Sequence, residues 1–203
     1  MKNKDVPNEA LLLGADRSEM KDLIDFYLNM STNEDKEDLY SMARRVRDSN
    51  DGPRVFLRGL IEFSSFCRND CFYCGLSVRN RKAVRYRMTE QEIVQVIRNG
   101  YAMGFRSFVL QSGEDPYYLA GRLSELVFSI KSLFSDIALT LSVGVLNSEQ
   151  YLQLYQAGAD RFLLRHETAD EEHFSKLHDA NQHFSIRRKS LETMKRIGYQ
   201  VGA

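Results

Sequence analysis

The chain has 203 residues, 43% of them hydrophobic, with 28 basic and 28 acidic side chains and a formal net charge of zero. That size and apolar content can bury a sizeable core, and the charge balance removes any global bias toward nucleic acid or an anionic membrane surface. No run reaches transmembrane length and the N-terminus lacks the apolar stretch and cleavage site of a secretion signal, so a cytoplasmic protein with no nucleic-acid and no membrane partner is expected.

Residues 8–29 and 34–48 read as two helices, the second opened by a capping box of Ser31 and Glu34 and closed before Asn50-Asp51-Gly52-Pro53. They define an N-terminal helical segment, 1–52, read as a lid or collar on a core of residues 53–203. From Pro53 onward short apolar runs alternate with amphipathic stretches, the mark of βα units around a parallel sheet. Strands are expected at 55–63, 106–112, 137–143 and 161–165, with a further start at 199–202. Between them, Thr89 and Glu92 form a capping box for a helix carrying Ile93, Val94, Ile97 and Tyr101 at helical spacing. Further helices are expected over 119–134, 148–157 with Gly158 as its stop, 170–178 and 186–197. This α/β repetition suits a (βα)₈ barrel or a doubly wound sheet, and periodicity does not choose between them.

The three cysteines, Cys67, Cys71 and Cys74, fall within eight residues as C-R-N-D-C-F-Y-C, directly after the first expected strand. Structural zinc normally takes four ligands, and no fourth Cys or close His adjoins the triplet. An odd cysteine count without a secretion signal also argues against disulfides. Thiolates are the ligands of iron–sulfur clusters, and three of them on a four-iron cubane leave one iron open to bind something else.

Other features read more weakly. Arg79 to Arg87 carries five basic residues, better explained as a loop beside an anionic cofactor than as a nucleic-acid patch. Q-S-G-E-D-P at 111–116 is by itself a strand-to-helix turn. Arg165 and Glu167 alternate with His166 at a strand end and so share a face, where an ion pair is an equal reading. His166, His173, His178 and His183 lie within 18 residues. The five-residue step from His173 to His178 is not the spacing of two ligands on one helix face, and solvated histidines are the expectation. No G-x-S-x-G elbow is present.

The C-x3-C-x2-C spacing, with Tyr73 before the last Cys, resembles that of the radical S-adenosylmethionine (SAM) superfamily. R-G-L-I-E-F-S-S-F-C-R-N-D-C-F-Y-C-G-L at 58–76, R-Y-R-M-T at 85–89, Q-S-G-E-D-P at 111–116 and A-G-A-D-R-F-L-L-R-H-E-T-A at 157–169 resemble in particular the HydE-type maturases of FeFe hydrogenase. Biotin synthase and 3-methylornithine synthase are further relatives by motif. The likeness runs from about residue 54 to residue 203.

The resemblance implies a partial TIM-like barrel with a 4Fe-4S cluster on Cys67, Cys71 and Cys74 in the loop after the first strand. It implies SAM contacts from Tyr73, Gly113, Glu114, Ser142, Arg165, Glu167 and Arg187. The activity implied is reductive SAM cleavage to a 5′-deoxyadenosyl radical acting on a small-molecule or organometallic substrate. A reduced donor such as ferredoxin or flavodoxin would supply the electron, and other hydrogenase maturation proteins are implied as partners. Two departures stand out. Val145 occupies the place of a glutamate common in the HydE-type proteins, and the sequence ends in its fifth expected strand, as a truncated barrel would. A methylornithine-synthase-type enzyme, or an inactive cluster-binding or interaction module, are the alternative expectations.

Overall fold

The computed structural model describes residues 16–29, 36–119 and 121–203. The chain divides into two compact units, Met1–Phe56 and Leu57–Ala203. In the first, helix α1 spans Arg17–Leu28 and helix α2 Glu37–Asn50. Helix α1 begins at Arg17 because Asp16 caps it: its carboxylate accepts the N–H groups of Ser18 and Glu19, and Glu19 reaches back to the Asp16 N–H. The expected Ser31–Glu34 box lies outside the described residues.

The second unit is a five-stranded, all-parallel sheet of β1 (Gly59–Ser64), β2 (Ser107–Ser112), β3 (Ala138–Ser142), β4 (Arg161–Leu163) and β5 (Gln200–Gly202). The strands lie side by side in chain order. That order settles the alternative periodicity left open. A doubly wound sheet reverses its strand order at a switch point, whereas right-handed crossovers that always step the same way put every helix on one face and curl the sheet toward a barrel.

The helices are α3 (Glu90–Ala102), α4 (Pro116–Leu119), α5 (Arg122–Leu133), α6 (Ser148–Gln156), α7 (Glu171–Leu177) and α8 (Phe184–Ile197). The Thr89–Glu92 capping box forms as expected, and Gly158 follows α6 with φ +111°, a left-handed stop. The helix expected over 119–134 forms as α5 but starts at Arg122, because Gly121, at φ +96°, is its N-cap and sets it off from the short α4. Strand β1 starts at Gly59 rather than 55, and Val55, Phe56 and Leu57 are exposed.

Alternation along the strands divides the sheet into two chemical faces. Ile61, Phe63, Phe108, Leu110, Leu139, Leu141 and Phe162 pack with Ile93, Ile97, Leu126, Ile130, Tyr151, Leu154 and Met194 of the helices in one apolar core. The opposite face carries a polar row in register, Glu62 beside Gln111 beside Ser142. Gln111 Nε2 donates to Glu62 Oε1 at 3.1 Å.

Candidate metal and cofactor site

The C-terminal ends of the strands surround a cavity of about 350 Å³. Its wall includes Ser64 at the end of β1 and Ser65 after it, Gly113 and Glu114 after β2, Ser142 at the end of β3 and Gly144 after it, and Leu164, Arg165 and Glu167 after β4. Cys67, Cys71, Cys74, Tyr73 and Arg187 complete it, so every residue from which the resemblance implies a cluster or SAM contact lines this one space.

The cysteine loop has no regular structure, and charged side chains hold it in shape. Arg85 donates to the carbonyls of Ser65, Leu76 and Ser77, Asp70 accepts from Ser77 Oγ and pairs with Arg79, and Phe72 N–H donates to Leu177 O at the end of α7. Arg87 forks onto Asp115 at 2.7 and 3.0 Å, and its guanidinium lies 3.6 Å from the Phe66 ring centroid. Three of the five basic residues of 79–87 therefore brace the site.

All three thiols are free. Each sulfur receives an N–H group: Asn69 N–H to Cys67 and Leu76 N–H to Cys74, both at 3.4 Å, and Gln182 Nε2 to Cys71 at 3.2 Å. Burial pushes the Cys67 and Cys71 thiols above their ordinary pKa. Among the described residues no three His, Cys, Asp or Glu side chains converge as ligands of a single ion would. Three thiols around one cavity, each already offered an N–H donor, suit a cluster whose irons each take a different thiolate.

Gly113 fits the loop to the strand end: a Cβ there would lie 2.5 Å from both Cys67 Cβ and Phe66 O. Glu114 is buried, its carboxylate held by Arg68 at 2.9 Å and by the Val145 N–H at 2.8 Å. Each oxygen keeps unused acceptor capacity. The Val145 side chain, where a carboxylate was expected by family resemblance, packs against the apolar core.

Arg165 and Glu167 do line the same cavity, but not by strand alternation: β4 ends at Leu163, and Glu167 sits in the left-handed region at φ +66°. They form no ion pair. Tyr73 OH donates to Glu167 Oε1 at 2.9 Å, and burial raises the phenol pKa. The Arg165 guanidinium has no partner among the described residues. Arg187 is buried, donating to Arg165 O and, at 2.8 Å, to Gln182 Oε1, and among the described residues no carboxylate pairs with it. A buried cation without a counterion, beside Cys71 and Tyr73, suits an anionic guest.

His178 corrects the solvated-histidine expectation: it is 3% exposed, stacks on Phe174 at 3.9 Å, and its Nε2 lies 3.4 Å from Tyr73 OH. Burial lowers its pKa. Sequence reasoning also missed Gln182, Asp115 and Asp179, whose carboxylate accepts the Asp70 N–H at 3.2 Å. Only the acidic position in Q-S-G-E-D offered any signal.

Residues 61–202 match the Radical SAM superfamily, and the chain belongs to that superfamily. It is 44% identical over 167 residues to the [FeFe] hydrogenase maturase subunit HydE of Thermotoga maritima, covering 82% of this chain and 47% of that protein. It is 35% identical over 176 residues to 3-methylornithine synthase of Methanosarcina acetivorans, covering 86% and 49%. The crystal structure of methylornithine synthase (PylB) superposes with a TM-score of 0.82 at 35% identity, over 89% of this chain and 53% of that one. The chain thus spans about half the length of the curated relatives it matches. Among the described residues no helix is long and apolar enough to cross a membrane.

Proposed function

We propose that residues 53–203 are the cluster- and SAM-binding part of a radical SAM enzyme with a HydE-like role in assembling the active-site cluster of FeFe hydrogenase, preceded by a helical segment of residues 1–52. The observation that carries this reading is the gathering of three free, N–H-bonded thiols with Gly113, Arg165 and Arg187 around one cavity. When bound, a 4Fe-4S cluster supplies the electron for reductive cleavage of SAM into methionine and a 5′-deoxyadenosyl radical.

The chain's own groups divide the remaining work. Cys67, Cys71 and Cys74 would hold three irons of the cluster, and their N–H donors would spread the thiolate charge. The unpaired Arg165 fork suits the methionine carboxylate, and unused acceptor positions on Glu114 and Glu167 suit amino and hydroxyl donors. Ser142 adds a hydroxyl from the strand end, and Tyr73 fixes Glu167 from the cysteine loop. Leu76 and Leu164 give the cavity an apolar wall against which water is excluded from a reactive radical. A reduced ferredoxin or flavodoxin is the proposed donor, a small organometallic precursor the proposed substrate, other hydrogenase maturation proteins the proposed partners, and the reducing cytoplasm the proposed location.

The likeness to methylornithine synthase, 35% identical with a TM-score of 0.82, supports a second reading, a 3-methylornithine-synthase-type reaction on a different small molecule. Anaerobic reconstitution with iron and sulfide, followed by EPR of the reduced protein with and without SAM, tests the shared part. A 4Fe-4S signal that SAM alters and that Cys71→Ala abolishes supports it. Absence of a cluster in folded wild-type protein rejects it.

A further inference from the structure

Cys71 differs from its two neighbours in how its sulfur is held. Cys67 and Cys74 receive backbone N–H groups, whereas Cys71 receives a side-chain amide, Gln182 Nε2, from 111 residues away in the turn between α7 and α8. An amide can face a sulfur with either end, and here a second residue chooses the end. Arg187 donates to Gln182 Oε1 at 2.8 Å and draws that oxygen to itself, so the NH₂ group is the amide end nearer the sulfur, at 3.2 Å against 3.7 Å for Oε1. Arg187 is itself pinned, buried in α8 and donating also to Arg165 O. The result is a relay, Arg187 to Gln182 to Cys71, with the cation behind the amide.

An N–H group aimed at a ligating sulfur stabilises the more electron-rich state of a cluster, which raises its reduction potential. We infer that Gln182, oriented by Arg187, is a positioning residue that sets the reduction potential of the cluster bound at Cys67, Cys71 and Cys74. This rests on the cluster-binding reading proposed above. Gln182 itself does not line the cavity, but its partner Arg187 does, so the potential is read without SAM.

The test is an EPR-monitored potentiometric titration of the full 203-residue chain, reconstituted with iron and sulfide, as wild type, Gln182→Leu and Gln182→Glu. Leucine removes the donor. Glutamate keeps the shape and the Arg187 contact but turns an acceptor toward the sulfur. Midpoints are expected to fall in the order wild type, Q182L, Q182E, the last most negative, at equal iron and sulfide content. Equal midpoints overturn the inference while leaving the cluster site standing. If Q182L does not load iron, Q182E decides by the same criterion. Failure of both variants to load, beside a loaded wild type, also overturns it, because Gln182 then anchors rather than tunes. A wild type that forms no cluster removes the site reading and this inference with it.

Discussion

Gly113 and Cys67 are packed backbone to backbone: a Cβ on Gly113 would stand 2.5 Å from Cys67 Cβ and 3.1 Å from its Cα. Neither neighbour is the loose end of a flexible side chain, so the cysteine loop has to move if the glycine gains a methyl group. Gly113→Ala is expected to fold but to lose most of its iron after reconstitution, with a cost of about 1–3 kcal/mol from overpacking. Iron and sulfide assays beside a thermal melt check it, and full iron loading would sink the idea that close approach positions the cluster loop.

Asp115 is 1% exposed and receives Arg87 on both oxygens and Ser64 Oγ at 2.6 Å. Burial alone would raise its pKa, but the hydrogen bonds from Arg87 and Ser64 outweigh burial and hold it below the ordinary carboxylate value. A depressed folded pKa gives stability that is present above the unfolded value of about 3.9 and lost as pH falls through the folded one. Denaturant titrations should therefore show this contribution intact at pH 5 to 7 and disappearing on acidification below about pH 4. Asp115→Asn should cost about 3 kcal/mol at neutral pH, the low end for breaking a buried pair because part of Arg87 remains exposed. The variant should also lose the acid-dependent part, and an unchanged acid limb would count against the pair.

Arg165 presents the opposite case. Its guanidinium reaches the cavity wall without a partner, so Arg165→Ala should change stability by no more than about 0.5 kcal/mol. Loss of a charge-assisted hydrogen bond to a carboxylate, about 1.5–3 kcal/mol, should weaken SAM binding roughly ten- to a hundredfold. Calorimetry with SAM on the reconstituted protein reads the affinity. Tight binding by the variant would remove Arg165 from the proposed SAM contacts.

Tyr73 tests the link between the cysteine loop and the segment after β4. Tyr73→Phe deletes the hydroxyl that holds Glu167 at 2.9 Å and leaves the ring on His178, where the centroids are 5.5 Å apart. Iron content should stay at the wild-type level, while SAM affinity falls about fivefold, the value of one hydrogen bond near 1 kcal/mol. If iron is lost instead, the tyrosine supports the loop and not Glu167.

Local signals carried far in this chain. The Thr89–Glu92 box and Gly158 mark element ends through contacts within a few residues, and the eight-residue span of the cysteines already places the three thiols in one loop. Those features depend on neighbours in sequence, so their spacing is visible there. The start of α5 at Gly121 rather than at residue 119 was not, because a single glycine is also tolerated within a helix.

The sequence by itself determined the element types, the parallel α/β class and the three thiols. Tertiary structure decided the single direction of strand order, which makes a barrel wall instead of a doubly wound sheet. It alone brought Gln182 to Cys71, Asp179 to Asp70 and Asp115 to Arg87, and it buried His178 where solvent was expected. The physical reason is common to all four: a hydrogen bond or a burial between distant segments imposes no periodicity on the chain, so it exists only once the strands have set the loops side by side.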